Sequence, residues 1–209
     1  MAYTICPIPK PVSEEHLTQY ILIRLAMLKA NPEAFGSTFT RESAFPRLQW
    51  QERVNNPART TFFASTALST IQPDASLGDT VSYHDEDGQE TKWVGTLSLL
   101  GPDMLRGVAF PPKMAEDRDA EIYMLTGMWV DTEYRKKGVG GQLVEHALRA
   151  LRGISVIDSN QHTEGRGRIL ALEVHNTNFE AQRLYQRQGF VVQPGDTEED
   201  RMWMALNIR

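Results

Sequence analysis

The residues best suited to chemistry form a short turn, Arg135-Lys136-Lys137-Gly138-Val139-Gly140-Gly141, between an apolar run ending at Val130 and an amphipathic run that begins at Val139. A helix opening at Val139 leaves its first backbone N–H groups without intrahelical partners and points the positive end of its dipole at whatever sits there. Glycines admit close backbone approach and three adjacent cations add charge, so the turn suits a pyrophosphate better than a single carboxylate. Two common phosphate-binding patterns do not apply. GxxxxGK[ST] is absent, and a dinucleotide GxGxxG would need glycine where Leu143 stands, after a tight strand end where 131–137 is polar.

Such a turn works only if a strand and a helix hold it, and the flanking residues offer both. Residues 121–130 (EIYMLTGMWV) have the β-branched, aromatic and Met content of a buried strand. Val139, Leu143, Val144, Ala147, Leu148 and Leu151 fall on one stripe of a helix over 139–152. A short strand over 169–174 follows, then a helix over 178–188 with Ala181, Leu184 and Tyr185 on one side and Gly189 at the C′ position. Upstream, 3–6 reads as a strand closed by Pro7 and Pro9. Ser13 caps a helix with Glu14 and Glu15 in its first turn and Leu17, Ile21, Leu25 and Leu28 at helical spacing until Asn31-Pro32. A second helical segment over 40–56, interrupted at Pro46, carries Leu48, Trp50 and Val54. Strands are expected over 60–67, 93–100, around Val191 and over 202–208, and surface loops over 69–89, 101–119 and 153–167. No repeat or linker divides the chain, so 1–209 reads as one α/β domain with a mixed sheet.

Taken together, Arg135-x-x-Gly138-x-Gly140 and the later Glu173-Val174-x-x-x-Asn178-x-x-Ala181-x-x-Leu184-Tyr185-x-x-x-Gly189-Phe190 resemble the acyl-CoA-binding core of the GCN5-related N-acetyltransferase (GNAT) superfamily. The stretch 24–37 (RLAMLKANPEAFGS) and the strand end Gly127-Met128-Trp129-Val130 resemble one common branch of it, so the resemblance covers most of the chain. It implies an α/β (α+β) fold whose mixed, largely antiparallel sheet is splayed between two parallel strands and flanked by helices. It implies acetyl-CoA as the acyl-donor substrate. Backbone groups of Met128 and Val130 would pair with the pantetheine arm as an added strand. The turn from Arg135 through Lys136, Lys137, Gly138, Val139, Gly140 and Gly141 would hold the pyrophosphate, Asn178 would bind the cofactor, and the Tyr185 hydroxyl would point at the sulfur.

Acetyl transfer to an amine asks for three things. The amine must lose a proton, because a lysine with a pKa of about 10.4 or an α-amine near 8 is largely protonated at neutral pH. In the branch that acetylates protein N-termini, the Glu matching Glu173 accepts it; Glu121, at the opening of the strand leading to Val130, and a water remain open as alternatives. The oxyanion needs donors, for which a backbone N–H within 128–130 is the candidate implied by the resemblance. The departing thiolate needs a proton, which Tyr185 can supply, a phenol near 10 against about 8.5 for a thiol. At most one of Glu173 and His175 is expected to face the cofactor, and His175 reads as a structural or exposed residue. His16, His84, His146 and His162 show no metal-binding spacing with one another or with Cys6, so no metal is expected. Trp93, Trp129 and Trp203 read as core.

Composition narrows the partners. The 22 Lys and Arg against 27 Asp and Glu give a net charge of −5, which argues against a nucleic-acid partner. No apolar run reaches the roughly 18 to 20 residues of a membrane span, and MAYTICPIPKPVSEEH lacks the layout of a signal peptide, so no membrane partner is expected and the location is taken as cytoplasmic, with the nucleus open. The lone Cys6, which cannot form an internal disulfide, agrees. Charge is unevenly spread: 134–190 carries nine Lys and Arg against five acids, a net +4, and the remainder carries −9. The acids over 116–121 and 196–200 are expected to favour a cationic acceptor. The function expected is N-acetylation of a primary amine on a small molecule or peptide, in a ternary complex. A non-catalytic acyl-CoA-binding module and a nucleotide-binding enzyme using the glycine turn are the alternatives.

Overall fold

The computed structural model describes residues 3–67, 83–84, 88, 90–115, 120–154, 167–194 and 200–208. Strand β1 (Thr4–Pro7) leads to helix α1 (Glu14–Ala30), which Ser13 caps by accepting the His16 N–H at 3.2 Å. Asn31-Pro32 ends it as the sequence predicts. Helices α2 (Phe39–Ser43) and α3 (Arg47–Asn55) follow, separated at Pro46, which stands at the N-cap of α3. Strands β2 (Arg59–Ala67), β3 (Tyr83–His84) and β4 (Glu90–Leu100) come next, then a 3₁₀ turn at Pro102–Leu105 and the short helix α4 (Pro112–Ala115). The chain closes with β5 (Glu121–Val130), α5 (Val139–Gly153), β6 (Arg168–His175), α6 (Phe179–Arg187), β7 (Val191–Val192) and β8 (Arg201–Ile208).

The strands form one sheet in the order β1-β2-β4-β5-β6-β8-β7, with β3 against β4. Of the described pairs only β5 and β6 run parallel, and they stay together only from Glu121↔Arg168 to Met124↔Ala171. Beyond that point the two strands part. A bulge in β5 marks the place: Ser98 pairs with Thr126 but Thr96 with Trp129, so β5 carries one extra residue, and Gly127 takes φ +63 there. The sheet is therefore mixed, largely antiparallel and splayed between its parallel strands, as the resemblance implies.

Helix α5 lays Val139, Leu143, Val144, Ala147, Leu148 and Leu151 on one face of the sheet, in a cluster with Leu97, Leu125, Leu170, Leu172 and Met204. On the other face α1 and α3 pack Leu17, Tyr20, Ile23, Trp50 and Val54 against Phe63 and Trp93, with Cys6 partly buried beside them. Two details differ from expectation. The buried face of α1 comprises Leu17, Gln19, Tyr20, Ile23, Arg24, Met27 and Leu28, which leaves Ile21 and Leu25 at its margins, half-buried. Leu48 is 64% exposed, since Trp50 and Val54, one turn apart, define the inner side of α3.

The expected loops need correction where they are described. Residues 83–84 form β3, which pairs with Thr91 and Glu90. Within 101–119, Leu105 and Met114 are buried, and Met114 joins Phe110 in a third cluster with Ile169 and Trp203. Most of 69–89 and 153–167, and the acids at 116–119 and 196–199, lie outside the described residues. Among the described residues no helix is long and apolar enough to cross a membrane, and no group of three or more His, Cys, Asp or Glu could hold a metal ion.

Candidate active site

Where β5 and β6 part, a cleft of about 900 Å³ opens. Its walls are Met128, Trp129 and Val130 of β5, the turn through Arg135, Lys136 and Gly138 to Gly141, the β6–α6 corner His175, Thr177 and Asn178, one side of α6, and Asn31, Glu33, Ala34 and Phe35 after α1. The size is that of a cofactor or small-molecule site. Its lining cations, Arg135, Lys136, Arg183 and Arg187, outnumber the acids Glu33 and Glu180.

The turn has the backbone an anion needs. Lys136 and Gly138 both take positive φ, +59 and +86, and α5 starts from Gly138 with no side chain capping it. Its first N–H groups are left to a ligand or to water, at the positive end of the helix. Close approach is built in: a Cβ on Gly140 would lie 2.9 Å from both Leu184 Cδ1 and Met128 Cε, so α5, α6 and β5 meet at a bare backbone. These features fit a pyrophosphate.

The basic side chains are deployed differently from expectation. Arg135 donates from Nε to the Val130 carbonyl (2.9 Å) and from Nη2 to Asn31 Oδ1 (2.9 Å), and Trp129 Nε1 donates to the same oxygen (3.1 Å). Arg135 is thus a clamp between the turn, the end of β5 and the end of α1, and its charge reaches the cleft from a fixed place. Lys137 is absent from the lining; its ammonium lies 5.3 Å from the Tyr134 ring centroid. Lys136 pairs with Glu180 at 3.3 Å across the cleft, both side chains well exposed.

The open edge of β5 is real. Asp131 N–H bonds to the Val94 carbonyl, so the neighbouring Val130↔Gly95 pair is the non-hydrogen-bonded kind and the Val130 backbone points toward β6. Alternation turns Met128 the same way. One lone pair of the Val130 carbonyl is already taken by Arg135, which the sequence did not reveal.

Asn178 lines the cleft and caps α6, its Oδ1 accepting the Ala181 N–H at 3.1 Å. At the other end the Gly189 N–H bonds to the Gln186 carbonyl and the Phe190 N–H to the Tyr185 carbonyl, with Gly189 at φ +91. This is a Schellman stop, and its customary apolar contact is present: the Tyr185 and Phe190 rings meet edge to face at 5.7 Å. Tyr185 consequently sits in the main core behind the lining residues Ala181 and Leu184 and is not itself a lining residue. Burial pushes its phenol pKa upward, so the hydroxyl holds its proton at neutral pH.

Of the carboxylates considered as bases, Glu121 is too far away. It stands seven residues before Met128, about 23 Å along a strand, beside Arg168 (3.9 Å) and accepting the Tyr123 hydroxyl (3.3 Å). Glu173 lies near the parting of the strands but outside the cleft lining, with Oε2 3.5 Å from Arg201 Nη1. His175 does line the cleft. The two stand two apart on β6 and so share a face; depth along the strand, not side of the sheet, separates them. Trp129, expected in the core, also lines the cleft.

One buried polar group escaped sequence reading. Glu42, 2% exposed, takes two bonds from Arg24 (2.7 and 2.6 Å) and one from Arg53 (3.1 Å), fastening α2 and α3 to α1 behind the Gly127 bulge. Burial would raise its pKa, but the Arg24 hydrogen bond and the Arg24 and Arg53 charges outweigh that and hold it at about 2.

Comparison with known proteins places this architecture. Residues 92–192 match the family model described as acetyltransferase (GNAT) domain. No curated protein sequence matches the chain. Among solved structures, a GNAT-family acetyltransferase from Streptococcus pneumoniae is 16% identical with a TM-score of 0.62, each chain covered completely. Arabidopsis thaliana NAA60 in complex with acetyl-CoA is 15% identical with a TM-score of 0.56 and 99% of each chain covered. The same plant protein with a bisubstrate analogue is 17% identical with a TM-score of 0.55 and 98% of each chain covered. Residues 92–192 thus form a GNAT acetyltransferase domain, and the splayed sheet around them has the fold of GNAT acetyltransferases.

Proposed function

We propose that the chain transfers an acetyl group from acetyl-CoA to a primary amine on a small molecule or peptide, the two substrates meeting in one ternary complex. The observation that carries this reading is the uncapped α5 start, with Lys136 and Gly138 at positive φ, set beside the open edge of β5. The fold's relative NAA60 has been solved with acetyl-CoA and with a bisubstrate analogue, and this reading gives the cleft the same class of donor.

Acetyl-CoA supplies an activated thioester carbonyl. The chain's residues do the rest. Backbone N–H groups over 136–141 hold the pyrophosphate, Met128 and Val130 present an unpaired strand edge to the pantetheine arm, and Asn178 stands at its flank. A backbone N–H of the 128–130 segment faces the carbonyl oxygen as charge develops. Tyr185, behind the lining residues Ala181 and Leu184, is the acid that the resemblance offers for the leaving sulfur. Glu173 is the base that the resemblance offers for the amine.

The test is release of CoA thiol from acetyl-CoA with a panel comprising a peptide with a free α-amine, spermidine and phenylethylamine. At least one amine should support turnover. Tyr185→Phe should cut that rate about 100-fold or more while leaving acetyl-CoA affinity unchanged. Saturable acetyl-CoA binding with no amine-dependent thiol release would favour the non-catalytic module instead.

A further inference from the structure

A hydroxyl and an imidazole in contact line the cleft at the β6–α6 corner. His175 ends β6 and lines the cleft together with Thr177. Its Nδ1 lies 2.8 Å from the Thr177 hydroxyl oxygen and accepts the Thr177 N–H at 3.3 Å, so the lone pair is on Nδ1 and the ring proton on Nε2. Nε2 faces Asp200 Oδ2 at 3.2 Å. The corner is braced: Asn176 N–H bonds to the Asp200 carbonyl, and Gln182 Nε2 donates to the carbonyls of His175 (3.1 Å) and Asn176 (2.9 Å). A hydroxyl open to a cleft, bonded to an imidazole that a carboxylate orients, is an arrangement suited to moving protons. Glu173 stands two residues deeper and outside the lining, beside Arg201.

We propose that Thr177, His175 and Asp200, in place of Glu173, form the relay that removes the amine proton, a reading that rests on the acetyl transfer proposed above. As the amine nitrogen bonds to the acetyl carbonyl carbon, its proton passes to Thr177 Oγ1 while the Thr177 hydroxyl proton moves to His175 Nδ1. The C–S bond breaks with the sulfur taking the Tyr185 proton. The imidazolium, held by Asp200, returns its proton to solvent, and Tyr185 regains one, so the cycle balances. Asp200 is a positioning residue. The other charged groups around His175 are Glu173 and Arg201, the latter its register partner on β8, then Glu180 and Arg183 from α6, and Lys136 paired to Glu180.

The experiment measures kcat and KM against pH with the fastest amine of the panel. His175→Gln should lower kcat about 100-fold and remove the rising limb of the profile, and Thr177→Val should lower kcat about tenfold or more, with Thr177→Ser restoring it. Asp200→Asn should lower kcat with little change in KM. All four should keep the thermal stabilisation that acetyl-CoA gives the wild type. Wild-type rates in His175→Gln or Thr177→Val would overturn the relay, as would loss of the limb in Glu173→Gln alone. Loss of acetyl-CoA stabilisation in both His175→Gln and Thr177→Val would assign a structural role and overturn it too. If the wild type releases no thiol with any amine, it is the acetyl transfer itself that fails.

Discussion

Replacing Glu42 with Gln keeps the shape of the side chain and removes its charge. The carboxylate is 2% exposed and receives charge-assisted bonds from Arg24 at 2.7 and 2.6 Å and from Arg53 at 3.1 Å. Removing one member of such a pair leaves a buried guanidinium uncompensated, which costs about 3–5 kcal/mol. Proton linkage gives a similar figure: a carboxyl moved from 4.5 to about 2 contributes on the order of 3 kcal/mol at neutral pH. At roughly 2–4 °C per kcal/mol for a chain of this size, Glu42→Gln should melt about 6–12 °C below the wild type at pH 7. The folded-state pKa is depressed, so the contribution is complete above the unfolded value of 4.5 and disappears as pH falls through about 2. Urea unfolding of both proteins from pH 7 to pH 2 should therefore show a gap that is constant down to about pH 5 and narrows below it. A gap under about 1 kcal/mol at pH 7, or one indifferent to pH, would refute the reasoning.

Gly138→Ala places a Cβ at φ +86, which should cost about 1–2 kcal/mol and weaken acetyl-CoA binding in isothermal titration. Gly189→Ala strains the α6 stop at φ +91 by a similar amount; because Tyr185 is held by that stop, kcat should fall more than acetyl-CoA affinity. Asn31→Ala removes the acceptor shared by Trp129 and Arg135, and about 1–3 kcal/mol of stability with it. The KM for acetyl-CoA should rise in steady-state kinetics, with Asn31→Asp recovering most of the loss.

Much of this protein is legible in local pattern. The caps of α1, the limits of β5 and the Gly189 stop follow from spacing and from residues whose backbone needs are known, and the paired glycine and Asn-Ala-Leu-Tyr tracts point to the cleft. What local pattern misses is set by chain segments far apart in sequence. Arg135 looks like a phosphate ligand until Asn31, 104 residues away, claims its guanidinium. Glu42 sits in a polar run that reads as surface until Arg24 and Arg53 converge on it. Glu121 carries suitable chemistry, but β5 places it at the closed end of the sheet, where the parallel pair is intact. The shared face of Glu173 and His175 was available from strand periodicity; only the structure puts Asp200 and Thr177 beside His175.

The central claim is that the cleft between β5 and β6 binds acetyl-CoA for transfer. The most direct test is a thermal-shift comparison of acetyl-CoA, ATP and NAD on the purified protein. Acetyl-CoA at a hundred times its Kd should add about 2.7 kcal/mol of stability, while ATP and NAD add none that CoA fails to displace. No stabilisation by acetyl-CoA, together with saturable ATP or NAD binding that CoA leaves untouched, would contradict the account.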